Sequence, residues 1–159
     1  MLITVLAPGS RGDVEPYVAL SAGLTQAGHQ VRLVSHEDMR ALVSGRGVEF
    51  WPLTVRVRDI AESTEMRQLL SKGNFLSVLR QMSAEAKRGA VHLAQTGLAA
   101  ARDADLVIAG IGGLFTGLAV AEKVGVPLLQ AHYAPLTPTA DLPSFLLQGA
   151  RTPRCLNRL

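Results

Sequence analysis

The chain has a single cysteine in 159 residues, only 4% aromatic residues, and no apolar run near the roughly 20 residues that a bilayer span requires. Each shortage removes a class of protein. Cys155 alone cannot close an internal disulfide, which fits a reducing compartment, and it reads as incidental rather than catalytic. So few aromatics leave the core to aliphatic side chains and close Ala and Gly contacts. No basic stretch followed by an apolar one opens the chain, and Met1 leads straight into a strand. Secretion and membrane spanning are therefore not expected, and a cytoplasmic location is. The net charge is +3, and Arg151, Arg154 and Arg158 account for all of it. No basic stripe with interleaved aromatics remains, so nucleic acid is not an expected partner.

Several motifs are missing as well. Without G-x-x-x-x-G-K-[ST] there is no phosphate-loop lysine, and without G-x-G-x-x-G a dinucleotide fingerprint is disfavoured. No G-x-S-x-G elbow supports Ser10 as a nucleophile. The histidines are scattered, without metal-ligand spacing, so no metal is expected.

What is present is a regular alternation of strands and helices. Nearly half the residues are apolar, enough for one domain that buries roughly 70% of its unfolded surface. Apolar runs of strand length fall at 2–6, 30–35, 48–53, 105–110 and 127–132. Helical spacing follows the first strand and closes at Gly28; it recurs at 37–44, at 74–101 as one helix or two, and at 114–123. Gly89 and Gly97 are candidate points of break or bend in the long one. Pro52 cannot donate to a ladder, which puts the third strand near an edge. The order predicts an α/β fold, a Rossmann-like doubly wound parallel sheet. The expected domain is 1–150. A basic tail at 151–159 stops without a sixth strand, leaving sheet face uncovered, and reads as a truncation point.

The stretch 7–16 organises the rest. Gly9 and Gly12 allow backbone angles and close approaches that a side chain would block, and Pro16 suits a first helical turn. Between them Ser10, Arg11 and Asp13 crowd one helix N-terminus. In a parallel sheet the strands' carboxyl ends share a rim. That rim would hold 10–13, Ser35, His36, Arg56 on the irregular 54–73 connection, the glycines of 110–113, His132 and Tyr133. Asp13 has two readings here: a helix cap whose pKa is lowered by backbone donors, or a base facing a substrate hydroxyl. His36 and His132 either touch ligand or are plain rim residues. Arg11 and Arg56 either bind phosphate or sit in surface ion pairs.

The run 9–20 (GSRGDVEPYVAL) resembles the N-terminal signature of the family 28 type glycosyltransferases. These include bacterial antibiotic and macrolide glycosyltransferases and the sterol glucosyltransferases. Weaker similarity continues at 27–31, 104–108, 119–127 and in the loop 132–138. The resemblance implies one half of a GT-B architecture, in which the N-terminal domain binds the acceptor and a C-terminal domain, absent here, binds the nucleotide-diphosphate sugar. It implies an inverting transfer to a hydroxyl of a lipophilic acceptor, with Asp13 as general base. Ser10, Arg11, Gly12, Gly112, Gly113, His132 and Tyr133 would be substrate-binding. No cofactor or metal is implied, the sugar nucleotide being a co-substrate. The partners implied are the acceptor and the donor domain, and association through exposed faces is left open. This chain alone is expected to be inactive. The alternative is a non-catalytic binding module, or a subunit needing a separate donor-domain chain. A freestanding nucleotide-binding protein is disfavoured by its missing fingerprints.

Overall fold

Three apolar strands at the centre of the chain's sheet bury both of their faces, and the helices between them supply the cover. In the computed structural model the described residues are 1–53 and 75–134, with backbone alone at 75–86 and 88. The expected 54–73 connection with Arg56, the proline-punctuated loop beyond Ala134 and the 151–159 tail with Cys155 lie outside them.

In chain order the elements are β1 (Leu2–Leu6), α1 (Arg11–Gln26), β2 (Gln30–His36), a 3₁₀ turn (Glu37–Met39), α2 (Arg40–Val43) and β3 (Glu49–Leu53). There follow α3 (Phe75–Ala100), β4 (Leu106–Ala109), a second 3₁₀ turn (Ile111–Gly113), α4 (Leu114–Val124) and β5 (Leu128–Gln130). The sheet runs β3-β2-β1-β4-β5 with every pairing parallel. Pro52 sits on the edge strand β3, where its missing N–H breaks no ladder.

Period-two alternation sorts the strands' side chains. Ile3, Val5, Val31, Leu33 and Ile108 meet Val14, Tyr17 and Val18 of α1 and Val43 of α2 on one face. Leu6, Val34, Val107 and Ala109 meet Leu93 and Ala100 of α3 and Val120 and Ala121 of α4 on the other. Both faces of the central strands β2, β1 and β4 are thus covered, whereas Leu129 on the edge strand β5 is left 51% exposed, in keeping with the expectation of some bare sheet. A buried hydroxyl joins the second layer, Thr4 Oγ1 donating to the Ala100 carbonyl at 2.9 Å.

Four details depart from the sequence reading. Helix α1 begins at Arg11, so Pro16 lies inside the helix in its second turn; the cap formed by Ser10 and Asp13 starts the helix early. The 37–44 stretch splits into a 3₁₀ turn and a short α-helix. Helix α3 is a single element that runs through Gly89 and Gly97. At Gly97 a Cβ would lie 3.3 Å from both Leu6 Cδ2 and Val120 Cγ2, so this glycine serves close packing rather than a break. Finally, β5 ends at Gln130, and the next carbonyl, that of Ala131, accepts the Tyr17 hydroxyl rather than a ladder N–H. His132 therefore lies beyond the ladder.

The chain leaves β3 at one edge and returns at β4, on the other side of β1. The crevice of such a sheet lies at the carboxyl ends of the two strands where direction of winding reverses, here β1 and β4.

Candidate functional site at the β1–α1 loop

The loop after β1 is shaped by Gly9, whose φ of 143° lies in the region that favours glycine. A Cβ there would also lie 2.7 Å from Asp13 Cβ and 2.8 Å from its Oδ2. Gly9 thus lets the Asp13 side chain fold back over the loop. Ser10, in extended backbone, is the N-cap, and Ser10 with Asp13 forms a capping box. The Ser10 N–H donates to Asp13 Oδ2 at 2.8 Å and the Ser10 hydroxyl to the same oxygen at 2.7 Å. The other oxygen, Oδ1, accepts the Tyr133 hydroxyl at 2.5 Å.

These donors and the positive helix end favour the carboxylate form. The Tyr133 hydroxyl does most to hold the Asp13 pKa below its ordinary value; partial burial opposes it and the Ser10 donors add to it. The same bond acts in reverse on Tyr133, whose phenol is pushed up to about 12. The Tyr133 phenol therefore keeps its proton at neutral pH and donates it to Asp13.

Tyr17 stands one turn along α1 from Asp13. Its ring is 4% exposed, and its hydroxyl donates to the Ala131 carbonyl at 2.6 Å. A Cβ at Gly110 would overlap that hydroxyl, so Gly110 clears its path. Burial, then the nearby Asp13 charge, raise the Tyr17 pKa. The Tyr17 and Tyr133 rings meet edge to face, with centroids 6.2 Å apart and planes at 69°. Residues from α1, the β4 turn and the segment after β5 therefore converge on one carboxylate.

The other sequence candidates fall into two groups. Ser10 and Tyr133 touch Asp13 directly. Arg11 instead pairs with Glu15 at 3.5 Å on the surface. Gly12 lies in the first turn of α1 with ordinary backbone, the positive φ belonging to Gly9 alone in this loop. At Gly112 a Cβ would lie 2.7 Å from the Pro8 carbonyl oxygen, and at Gly113 the same distance from that of Leu6. These two glycines bring the β4 turn against the β1 loop and narrow the crevice. His132 is half-buried; its Nε2 lies 3.3 Å from Gln130 Oε1, and its buried Nδ1 has no partner. Ser35, expected on the rim, is fully buried and donates to the Ala7 carbonyl at 2.8 Å, so it is structural. His36 ends β2 and precedes the 3₁₀ turn. Tyr17 was not among the candidate residues read from the sequence. Its spacing of four from Asp13, which puts both on one helix face, was the available signal.

Among the described residues no group of three His, Cys, Asp or Glu could hold a metal ion, and no helix is long and apolar enough to cross a membrane. A shallow depression beside α2, lined by Glu37, Asp38, Arg40, Ala41 and Ser44, contains none of the groups above.

A five-stranded parallel sheet wound on both faces, with its polar cluster in the β1/β4 crevice, defines a Rossmann-like domain. Residues 3–143 match the glycosyltransferase family 28 N-terminal domain, and the chain belongs to that family. The sterol 3-beta-glucosyltransferase of Neurospora crassa is 30% identical over 153 residues, which is 95% of this chain and 10% of that protein. That of Sclerotinia sclerotiorum is 32% identical over 142 residues, 89% of this chain and 10% of that protein. Among solved structures, a Streptomyces glycosyltransferase in complex with thymidine diphosphate superposes with a TM-score of 0.60 at 26% identity, over 83% of this chain and 38% of that one. The chain thus spans about a tenth of the length of these curated relatives. The resemblance carried by 9–20 and the expected Rossmann-like half of a GT-B architecture are both borne out.

Proposed function

We propose that this domain is the acceptor-binding half of an inverting glycosyltransferase and that Asp13 is its general base. One observation carries the reading: Asp13 Oδ1, in the β1/β4 crevice, already holds an O–H at 2.5 Å. An acceptor alcohol in the same position would donate to the same oxygen. Its own oxygen would then attack the anomeric carbon of a nucleotide-diphosphate sugar from the face opposite the leaving group. The new C–O bond forms, the bond to the diphosphate breaks with its electron pair leaving on the phosphate, and the alcohol proton passes to Asp13. A carboxylate with a lowered pKa is a weak base for a free alcohol. It becomes effective as the attacking oxygen gains positive charge, when the proton turns acidic.

In this reading the sugar nucleotide is a co-substrate, held mainly by a C-terminal donor domain, and neither metal nor cofactor takes part. The names of the relatives support a lipophilic acceptor, a sterol or similar natural product, and a cytoplasmic site of action fits the cysteine usage. Ser10 fixes the base. Gly112 and Gly113 set the width of the crevice, and His132 and Tyr133 line its β5 side, whereas Arg11 and Gly12 stand at its mouth.

The test is Asp13→Asn in the full-length protein, assayed with ergosterol or a polyketide aglycone and a panel of UDP- and dTDP-hexoses. Sterol binding is expected to persist while transfer falls by about 10²–10⁴-fold; near-normal turnover overturns the assignment. A second reading, a binding module that works with a separate donor-domain chain, draws on the Ser10–Asp13 cap, which gives Asp13 a purely structural use. Transfer that appears only when a donor-domain chain is mixed in would select it.

A further inference from the structure

The two oxygens of Asp13 have different duties. Oδ2 takes both Ser10 donors and is committed to the start of α1. Oδ1 takes the Tyr133 hydroxyl and is the oxygen left for a ligand. Of the two phenols beside it, Tyr17 cannot respond, since it is buried and its hydroxyl is tied to the Ala131 carbonyl. Tyr133 can: it is 49% exposed, and its ring meets Tyr17 edge to face rather than being enclosed. What Tyr133 presents to the site is a hydroxyl on a rigid six-membered ring, with the ring set against an aromatic wall.

We propose that Tyr133 occupies the acceptor's seat, and that the acceptor is a ring-borne alcohol which displaces it, bringing its own hydroxyl to Asp13 Oδ1 and its ring against Tyr17. The exchange swaps one O–H···O⁻ bond for another and needs no change at Ser10 or Tyr17. Tyr133 is then a specificity-determining residue, favouring alcohols on rigid rings over open-chain ones, which cannot replace both contacts. The proposal rests on the reading of Asp13 as the oxygen donor's partner in the crevice. The high pKa of the phenol, about 12, keeps it a competing donor throughout the working range.

Cyclohexanol and cyclohexanone test it in the full-length protein, because they match in ring size and only the alcohol can donate. If the phenol closes the seat about nine-tenths of the time, Tyr133→Phe binds cyclohexanol about tenfold more tightly than the parent, with cyclohexanone unchanged. A merely structural role would move both affinities alike. In the parent, labelled with ¹³C at the tyrosine ring, cyclohexanol shifts the Tyr133 signal and cyclohexanone leaves it in place. Equal effects of the two probes, or no effect of cyclohexanol on either readout, overturn the proposal. These binding readouts are independent of turnover. Normal transfer by Asp13→Asn would remove the base assignment while leaving the seat intact.

Discussion

At the scale of single residues, the two oxygens of Asp13 are divided between two neighbours. Asp13 caps α1 through Oδ2 and accepts the Tyr133 hydroxyl through Oδ1. The cap has a consequence for acid stability. The folded-state pKa lies below the ordinary 3.8, so the carboxylate contributes stability that is fully present above the unfolded value and is lost as pH falls through the lower folded one. Asp13→Asn removes that contribution. The gap in urea midpoint between parent and variant is therefore expected to hold constant from pH 7 to about 5 and to narrow below about pH 4. A gap that widens with acid would contradict the lowered pKa. Ser10 and Asp13 were legible because they are near neighbours in a glycine turn. Tyr133 was legible only as a rim residue, since its partner lies 120 positions away and no local pattern records such a bond.

At the scale of elements, the strands were legible and the helix starts less so. Short apolar runs buried on both faces mark β1 and β4 directly, and alternation marks β2. The first turn of α1, however, reads as loop, because Ser10, Gly12 and Asp13 are loop-forming residues until the Ser10–Asp13 bonds turn them into a cap. Glycines inside helices carried the other ambiguity, since a glycine that weakens a helix and one that lets it pack look alike in sequence. Their surroundings separate them. Nothing lies within 4 Å of a Cβ placed on Gly23 in α1, whereas one on Gly117 in α4 would lie 2.6 Å from Ala109 Cβ. Gly23→Ala is expected to stabilise the domain by about 0.5–1 kcal/mol, through helix propensity alone. Gly117→Ala should cost about 1–3 kcal/mol, since α4 must move off β4. Urea unfolding of both variants checks the pair, and a shared sign would refute the packing argument.

At the scale of the whole molecule, stability resides in the sheet's two buried faces, while much of α4 is left open. Leu33 is fully buried among the residues between β2 and the first helix layer, whereas Phe115 at the start of α4 is 85% exposed. Leu33→Ala is expected to lower unfolding free energy by about 2–5 kcal/mol, against about 0.5 kcal/mol or less for Phe115→Asp, both measurable by chemical denaturation. The topology was legible from element order, because alternating strands and helices of these lengths admit few arrangements. The position of the crevice followed from it. Which side chains meet there did not, because that depends on how far each loop leans.

The Tyr17 hydroxyl, fastened to a carbonyl 114 positions onward, ties the birth of the crevice to the end of folding. Contacts between distant parts of a chain form only after the intervening loops have closed. The first helix can be capped early by its own residues, yet the aromatic wall and the phenol beside the carboxylate can assemble only once β5 has docked on β4. A partly folded chain without β5 in place would hold a helix and most of a core, but neither the Tyr17 bond to Ala131 nor the Tyr133 bond to Asp13.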